Sequence, residues 1–211
     1  RTFVSIITVI SILGVMLGVA VLIIVISVMS GFDHDLREKF FGFSAHLKVL
    51  PRYQTMENYA LVSSVVSSNP AVKGVAPFVV GQLLIETQPK TGQSLFLAPA
   101  LRGIDPQAEQ TVTSLATNIV DGEFDLSRRG LLVGTQMATS LGLQVGDTVT
   151  VYSAKQLEKI FREKDKPDQT ARLRDDYEIR GIFDAGYYEF NSMVVISSLE
   201  TAQRLYDLEE N

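Results

Sequence analysis

Apolar positions dominate the chain from Thr2 to Phe32, and no charged residue falls among them. As an α-helix this stretch measures roughly 46 Å, against ~30 Å of bilayer hydrocarbon. Val9 to Met29 holds fourteen Leu, Ile and Val residues. Near the centre of a membrane helix each favours insertion by about 0.3–0.6 kcal/mol, a sum on the order of 4–8 kcal/mol, partly offset by Ser11, Gly14, Gly18 and Ser27. A helix in the core of a soluble domain keeps a polar face, and this one has none. A secretory leader has an apolar region of ~7–15 residues before a small-residue cleavage site. The present run is about twice that length and ends in Ser30-Gly31-Phe32 without such a site. It reads as a retained transmembrane helix.

Within the run, Gly14-Val15-Met16-Leu17-Gly18 is a G-x-x-x-G, and with Ser11 it makes a stripe of small residues. Lipid gives helices no hydrophobic reason to associate, so close backbone approach along such stripes replaces it. Ser11, Gly14 and Gly18 are therefore the expected packing face for helices that lie outside this stretch. Ser27 and Gly31 repeat the four-residue spacing.

After Phe32 the pattern becomes amphipathic. Phe32, Leu36, Phe40 and Phe43 share one helical face, while Asp33, Asp35, Arg37, Glu38 and Lys39 take the other. This predicts a stalk that carries the helix into water to about Phe41, with Gly42 as the stop. Among Asp33, His34, Asp35 and Glu38 only His34 and Glu38 share a side, so a solvated face outweighs a metal site here.

The remaining pattern predicts a series of short elements. Strands are expected at Ala45–Leu50, Val72–Glu86 (broken at Pro77 and Gly81), Ser94–Ile104, Gly130–Gly134, Thr148–Ser153, Tyr177–Ile182 and Ser192–Ile196. Helices are expected at Met56–Ser68, Gln107–Leu115, Thr135–Leu141 (stopped by Gly142) and Leu199–Tyr206. Ala154–Asp176 is rich in Lys, Arg, Asp and Glu. It is too polar for core and longer than an ordinary connection of ~4–6 residues, so it reads as a solvated excursion or a protruding arm for a partner. The result is an α+β architecture: a transmembrane helix and stalk over 1–43, then a mixed domain over 44–211. Within that domain 127–198 is a possible second subdomain.

Composition narrows the function. Beyond Phe32 the charge is 18 basic against 24 acidic residues, a net of −6, with no basic patch. Nucleic acid is thus not an expected partner. Cysteine is absent, which leaves the compartment open, because a domain of this size folds without disulfides. The start at Arg1 without an initiator Met, and an end just after a helical pattern, suit a portion of a longer protein.

No catalytic residues are predicted, and no cofactor or metal. There is no Walker lysine loop, no G-x-G-x-x-G, no H-E-x-x-H and no G-x-S-x-G. Gly42-Phe43-Ser44-Ala45-His46 lacks the last glycine and follows a helix rather than a strand. His34 and His46 are the only histidines.

Several stretches together carry a resemblance. Ser11-Ile12-Leu13-Gly14-Val15-Met16-Leu17-Gly18-Val19-Ala20, then Ser27-Val28-Met29-Ser30-Gly31-Phe32 and Leu36-Arg37-Glu38, resemble the first transmembrane helix of the lipoprotein-releasing ABC transporter permeases, LolC and LolE. Leu141-Gly142-Leu143-Gln144-Val145-Gly146-Asp147-Thr148-Val149 is similar to the extracytoplasmic core domain of the wider superfamily that includes MacB and FtsX. So are Gly181-Ile182-Phe183, Gly186 to Ser192, and Leu199 to Leu205. The middle, Val72 to Asp125, matches in rough layout only.

The resemblance implies a Gram-negative inner-membrane permease with its large domain in the periplasm. It implies a MacB-like core domain and a second permease subunit. ATP would be hydrolysed by a separate cytoplasmic, LolD-like ABC ATPase, and this subunit would not be an enzyme. The cargo would be triacylated lipoproteins, passed to a LolA-like periplasmic chaperone. At matching positions Val25, Val28, Met29 and Phe32 would meet acyl chains, which suits an adaptable apolar wall containing Met. The Ala154–Asp176 segment matches a chaperone-hooking hairpin, which places Arg162, Pro167 and Arg172 in the chaperone-binding arm, with Lys164 and Lys166 beside them. Its length leaves a LolC-like, a LolE-like and a combined role open. A MacB-like efflux permease or FtsX-like regulator is the alternative within the superfamily. A single-pass membrane-tethered binding or sensor domain is the alternative outside it.

Overall fold

The computed structural model describes residues 2–43, 45–51, 56, 58–89, 92–162 and 175–208. The chain divides into two compact units, Arg1–Phe40 and Phe41–Asn211.

The first unit is helix throughout its described length. Helix α1 runs Thr2–Phe43, so its last turn belongs to the second unit. Of the described residues, Ser5–Asp33 is long and apolar enough to cross a membrane, and none of that span is buried by the rest of the chain. The helix passes through Gly42, which the sequence marks as its stop, and ends one residue later.

The second unit is built on eight paired strands. They are β1 (Phe78–Thr87), β2 (Phe96–Leu97), β3 (Ala100–Ile104), β4 (Ile119–Gly122), β5 (Gly130–Gly134), β6 (Thr148–Ser153), β7 (Asp175–Phe183) and β8 (Val194–Ser198). β1 pairs antiparallel with β3 and with β6. β3 pairs parallel with β8, β8 antiparallel with β5, and β5 parallel with β7. β7 returns antiparallel to β6. The pairings thus form a closed circuit, which leaves few unpaired edges. β4 joins β7 from outside that circuit.

The pleat sends alternate residues to two cores. Leu131 and Val133 of β5, Ile179 of β7 and Val195 of β8 face one core, closed by helix α4 (Thr135–Leu141) through Met137 and by α7 (Leu199–Leu205) through Ala202. Leu132, Ile196 and Phe183 face the other, with Phe43, Leu115, Leu126 and Ala185. α7 lies directly on the sheet because Gly103 and Gly81 have no side chains. A Cβ on Gly103 would collide with the Ala202 methyl, and one on Gly81 with the Tyr206 ring.

Three of the sequence-predicted elements, β5, α4 and β6, have the predicted bounds. Gly142 adopts a left-handed conformation, φ 64°, after α4 and stops it as expected. The predicted strand at Ser94–Ile104 is divided at Pro99 without a slip in register, since Leu97 pairs with Ile85 and Ala100 with Gln82. Four expectations fail. The helix expected at Gln107–Leu115 ends at Glu109 and gives way to turns before a short 3-10 helix at Leu115–Asn118. Residues 72–77, the start of the strand expected at Val72–Glu86, form no strand; it begins at Phe78, after Pro77. Residues 45–50 form no strand, and Leu47 is 87% exposed. Alternation alone makes no strand without a ladder partner, and no described strand offers one. The Ala154–Asp176 excursion begins not as a loop but as a helix, α5 (Ala154–Arg162). Two smaller helices complete the unit, α2 (Tyr59–Ser67) and α3 (Pro106–Glu109), together with α6 (Tyr188–Met193) before β8. α3 is capped by Asp105, whose carboxylate accepts from the Gln107 and Ala108 amides.

Candidate functional site

Helical geometry sorts the α1 residues singled out above. At about 100° per residue, Ser11, Gly14 and Gly18 fall within about 60° of one another. Val25, Val28, Met29 and Phe32 are spaced i, i+3, i+4 and i+7 and lie within about 100°. Fourteen residues separate Ser11 from Val25, so the two groups share one side of the helix, offset by only about 40°. Ser27 and Gly31 lie on the opposite side. All four apolar side chains are more than half exposed. A Cβ on Gly14 or Gly18 would meet nothing within 4 Å. Among the described residues of the helix, neither stripe is covered.

The end of α1 is held in the second unit by both a ring and a carbonyl. The buried Phe43 ring packs on Phe190 with centroids 5.9 Å apart, and Phe190 meets Phe183 at 5.8 Å in an edge-on arrangement. The Phe43 carbonyl accepts a hydrogen bond from Arg102 at 3.1 Å. The other terminal nitrogen of Arg102 donates to Glu109 Oε1 at 2.7 Å, and Thr113 Oγ1 donates to the same oxygen at 3.0 Å. Nothing local in the sequence announces this set, because Phe43, Arg102 and Glu109 sit on three separate elements.

The excursion after β6 has a well-braced root. Gln156 of α5 donates to Asp175 at 3.0 Å, and Arg129 also meets Asp175, at 3.1 Å. Gln88 donates to both Thr150 and Asp176 at 2.7 Å. Lys155 pairs with Asp207 at 2.9 Å. Arg162 closes α5, and its side chain lies outside the described ones. Lys164, Lys166, Pro167 and Arg172 lie outside the described residues altogether.

Chemistry for bond making is sparse. Among the described residues no group of three His, Cys, Asp or Glu is placed to hold a metal. An open cavity of about 490 Å³ lies beside α7, lined by Tyr59, Asp105, Gln107, Glu200 and Gln203 among others. Ser198 also lines it, with its hydroxyl engaged by Thr201, and no histidine is among the described lining residues. The perturbed acid groups sit in the framework. Hydrogen bonds from Ser127, with help from Arg180, hold the Asp125 carboxyl below its usual range. Burial pushes the Tyr177 phenol up, and raises that of Tyr206 to about 12.

Comparison with known proteins places these features in context. A family profile described as the MacB-like periplasmic core domain matches residues 8–210. The chain is 30% identical over 207 residues to a lipoprotein-releasing system transmembrane protein LolC of Xylella fastidiosa, covering 96% of this chain and 47% of that protein. It is 29% identical over 152 residues to the lipoprotein-releasing system transmembrane protein LolE of Haemophilus influenzae, covering 69% of this chain and 35% of that protein. The chain thus spans about half the length, or less, of the curated relatives it matches. Among solved structures, it resembles the periplasmic region of MacB from Actinobacillus actinomycetemcomitans, with a TM-score of 0.43 and 14% identity, covering 75% of this chain and 59% of that one. The extracellular domain of YknZ, a noncanonic ABC-type transporter from Gram-positive bacteria, gives a TM-score of 0.44 at 14% identity, covering 69% and 64%.

Proposed function

The chain belongs to the MacB-like periplasmic core domain family, and from that premise we propose that it supplies the first membrane helix and the periplasmic domain of a permease subunit. The transporter is an ABC system of the inner membrane that extracts lipoproteins and passes them to a periplasmic chaperone. The observation that carries the reading is the similarity to a lipoprotein-releasing LolC over 96% of this chain, helix and domain together. On this reading residues 1–43 are the membrane helix and stalk, and 44–211 the periplasmic domain.

The subunit makes and breaks no bonds. A cytoplasmic ATPase supplies the energy, and a second permease subunit supplies the facing helices. Ser11, Gly14 and Gly18 admit a neighbouring helix at close range. Further along the same side, Val25, Val28, Met29 and Phe32 form a wall for triacylated cargo. Flexible chains are accommodated there by shape-tolerant apolar contact rather than by polar recognition. Arg162, Pro167 and Arg172 belong to the arm that meets the chaperone, and long excursions from a rigid scaffold often carry recognition.

The test is purification of the full-length protein from membranes. Recovery with an ATPase subunit and bound lipoprotein, released to chaperone on adding ATP, is the expected result. Recovery with an efflux adaptor and no lipoprotein would favour the MacB-like alternative. Recovery alone would favour a tethered binding domain.

A further inference from the structure

We propose that Arg102, held by Glu109, is a positioning residue that clamps the end of α1 to the sheet, so that displacement of the helix moves β3 instead of dissipating at a hinge. This rests on the permease reading for its purpose, but not for its geometry.

Arg102 lies in the middle of β3, paired with Val80 on one side and Ile196 on the other. It therefore sits on a strand hydrogen-bonded along both edges. Its guanidinium reaches the Phe43 carbonyl, one of the terminal carbonyls that a helix leaves without an internal partner. A cation there also meets the negative end of the helix dipole. Glu109 fixes the guanidinium from behind, with side-chain exposures of 15% for Arg102 and 2% for Glu109. Thr113 fixes Glu109 in turn.

Stability is a poor explanation for this arrangement. A buried ion pair often does no better than well-packed apolar residues of the same volume, because both charges must leave water. Arg102 Nε is also buried and finds no acceptor among the described residues, which adds a further cost. What the pair provides is direction. A planar guanidinium forks between two acceptors at fixed angles, whereas an apolar contact tolerates sliding and rotation. The Phe43 ring, packed on Phe190, supplies that apolar contact. The Arg102 bond removes the freedom the ring contact leaves.

Removing one partner alone would strand a buried charge, so the informative variant is the double one, Arg102→Met with Glu109→Gln. It leaves no buried charge and keeps an acceptor for Thr113. The experiment uses the full-length protein in nanodiscs with its ATPase. Amide hydrogen exchange over residues 39–43 is expected to speed up about tenfold, while β5 and β7 stay protected. ATP consumed per lipoprotein released is expected to rise about tenfold, with ATPase activity within about twofold of wild type. Arg102→Lys, which keeps the charge but not the fork, falls between. Unchanged exchange at 39–43, or loss of protection throughout the sheet, overturns the clamp. Faster exchange with an unchanged ATP-to-release ratio overturns its coupling role. Should the wild type release no lipoprotein, the permease reading fails, and the exchange measurement still decides the clamp.

Discussion

Leu, Ile and Val of α1 between Ser5 and Asp33 are 49–68% exposed, while Leu131, Leu132 and Val133 of β5 are 0% exposed. The residue types are the same, but the first set lines every side of one helix and the second alternates between two cores on a pleated strand. An alternating strand finds its apolar partners within the chain. A helix that is apolar all round has no inside of its own, so its solvent must be lipid or other helices. Position of the partner, rather than degree of hydrophobicity, separates the two units.

The sharpest test of that contrast is one substitution made in both places. Leu132→Ala opens a cavity at a side chain that is 0% exposed. It is expected to cost about 2–5 kcal/mol, or roughly 5–15 °C in the melting temperature of the domain by calorimetry. Leu22→Ala, on α1, is expected to leave that melting temperature unchanged. A comparable drop from Leu22→Ala would mean that α1 draws its stability from the folded unit after all.

Glycines give the same comparison with steric rather than cavity effects. An added Cβ at Gly14 or Gly18 meets nothing within 4 Å among the described residues, so Gly14→Leu or Gly18→Leu is expected to leave the folded unit undisturbed. Domain melting should stay constant while recovery of the assembled complex from membranes falls roughly tenfold, as expected when a close helix contact worth about 1–2 kcal/mol is blocked. Normal recovery and normal lipoprotein release in these variants would remove the packing role. In the folded unit Gly103 behaves oppositely, because any added side chain strikes Ala202 and pushes α7 off the sheet.

The same difference governs what the sequence reveals. The 130–153 stretch is legible because its signals are local: a short apolar strand, a helix ended by Gly142 in the left-handed region, and an alternating strand after a turn. On α1 a single period places Ser11, Gly14 and Gly18 on one face, whereas Val25, Val28, Met29 and Phe32 are singled out by family resemblance and not by that period. Residues 45–50 carry the alternation of a strand, but pairing depends on a distant neighbour, which the sequence does not specify. α5 hides its apolar positions Leu157 and Ile160 among Lys155, Glu158 and Lys159, so charge density masks its period. The Arg102, Glu109 and Phe43 contacts join residues up to 59 positions apart, and no local spacing encodes them.

A smaller effect belongs to the cap of α7. Ser198 Oγ accepts from the Thr201 amide at 3.2 Å. Ser198→Ala is expected to cost about 1 kcal/mol, or roughly 2–4 °C in the melting temperature of the domain, with complex recovery unchanged. An equal loss of complex recovery would show that α7 also faces a partner.

The gentlest probe separates the units by pH alone. The Tyr206 hydroxyl donates to the Gln82 carbonyl at 3.0 Å, and burial raises its pKa from the ordinary 10 to about 12. Below pH 10 the phenol is protonated in both folded and unfolded chains, and its contribution is fully present. Between about 10 and 12 the unfolded chain gives up the proton while the folded one keeps it, so stability falls as pH rises. Tyr206→Phe should flatten part of that alkaline slope, at a cost of about 1 kcal/mol at neutral pH for the lost hydrogen bond. Tyr177, raised in the same direction, retains a share of the slope. From Thr2 to Phe32 there is no Tyr, Lys or carboxylate to titrate. Membrane retention should therefore hold constant across the window in which the domain weakens. An alkaline slope that Tyr206→Phe leaves untouched would remove the phenol from the account. Release of the helix from membranes in step with domain unfolding would mean that the two units do not answer to separate solvents.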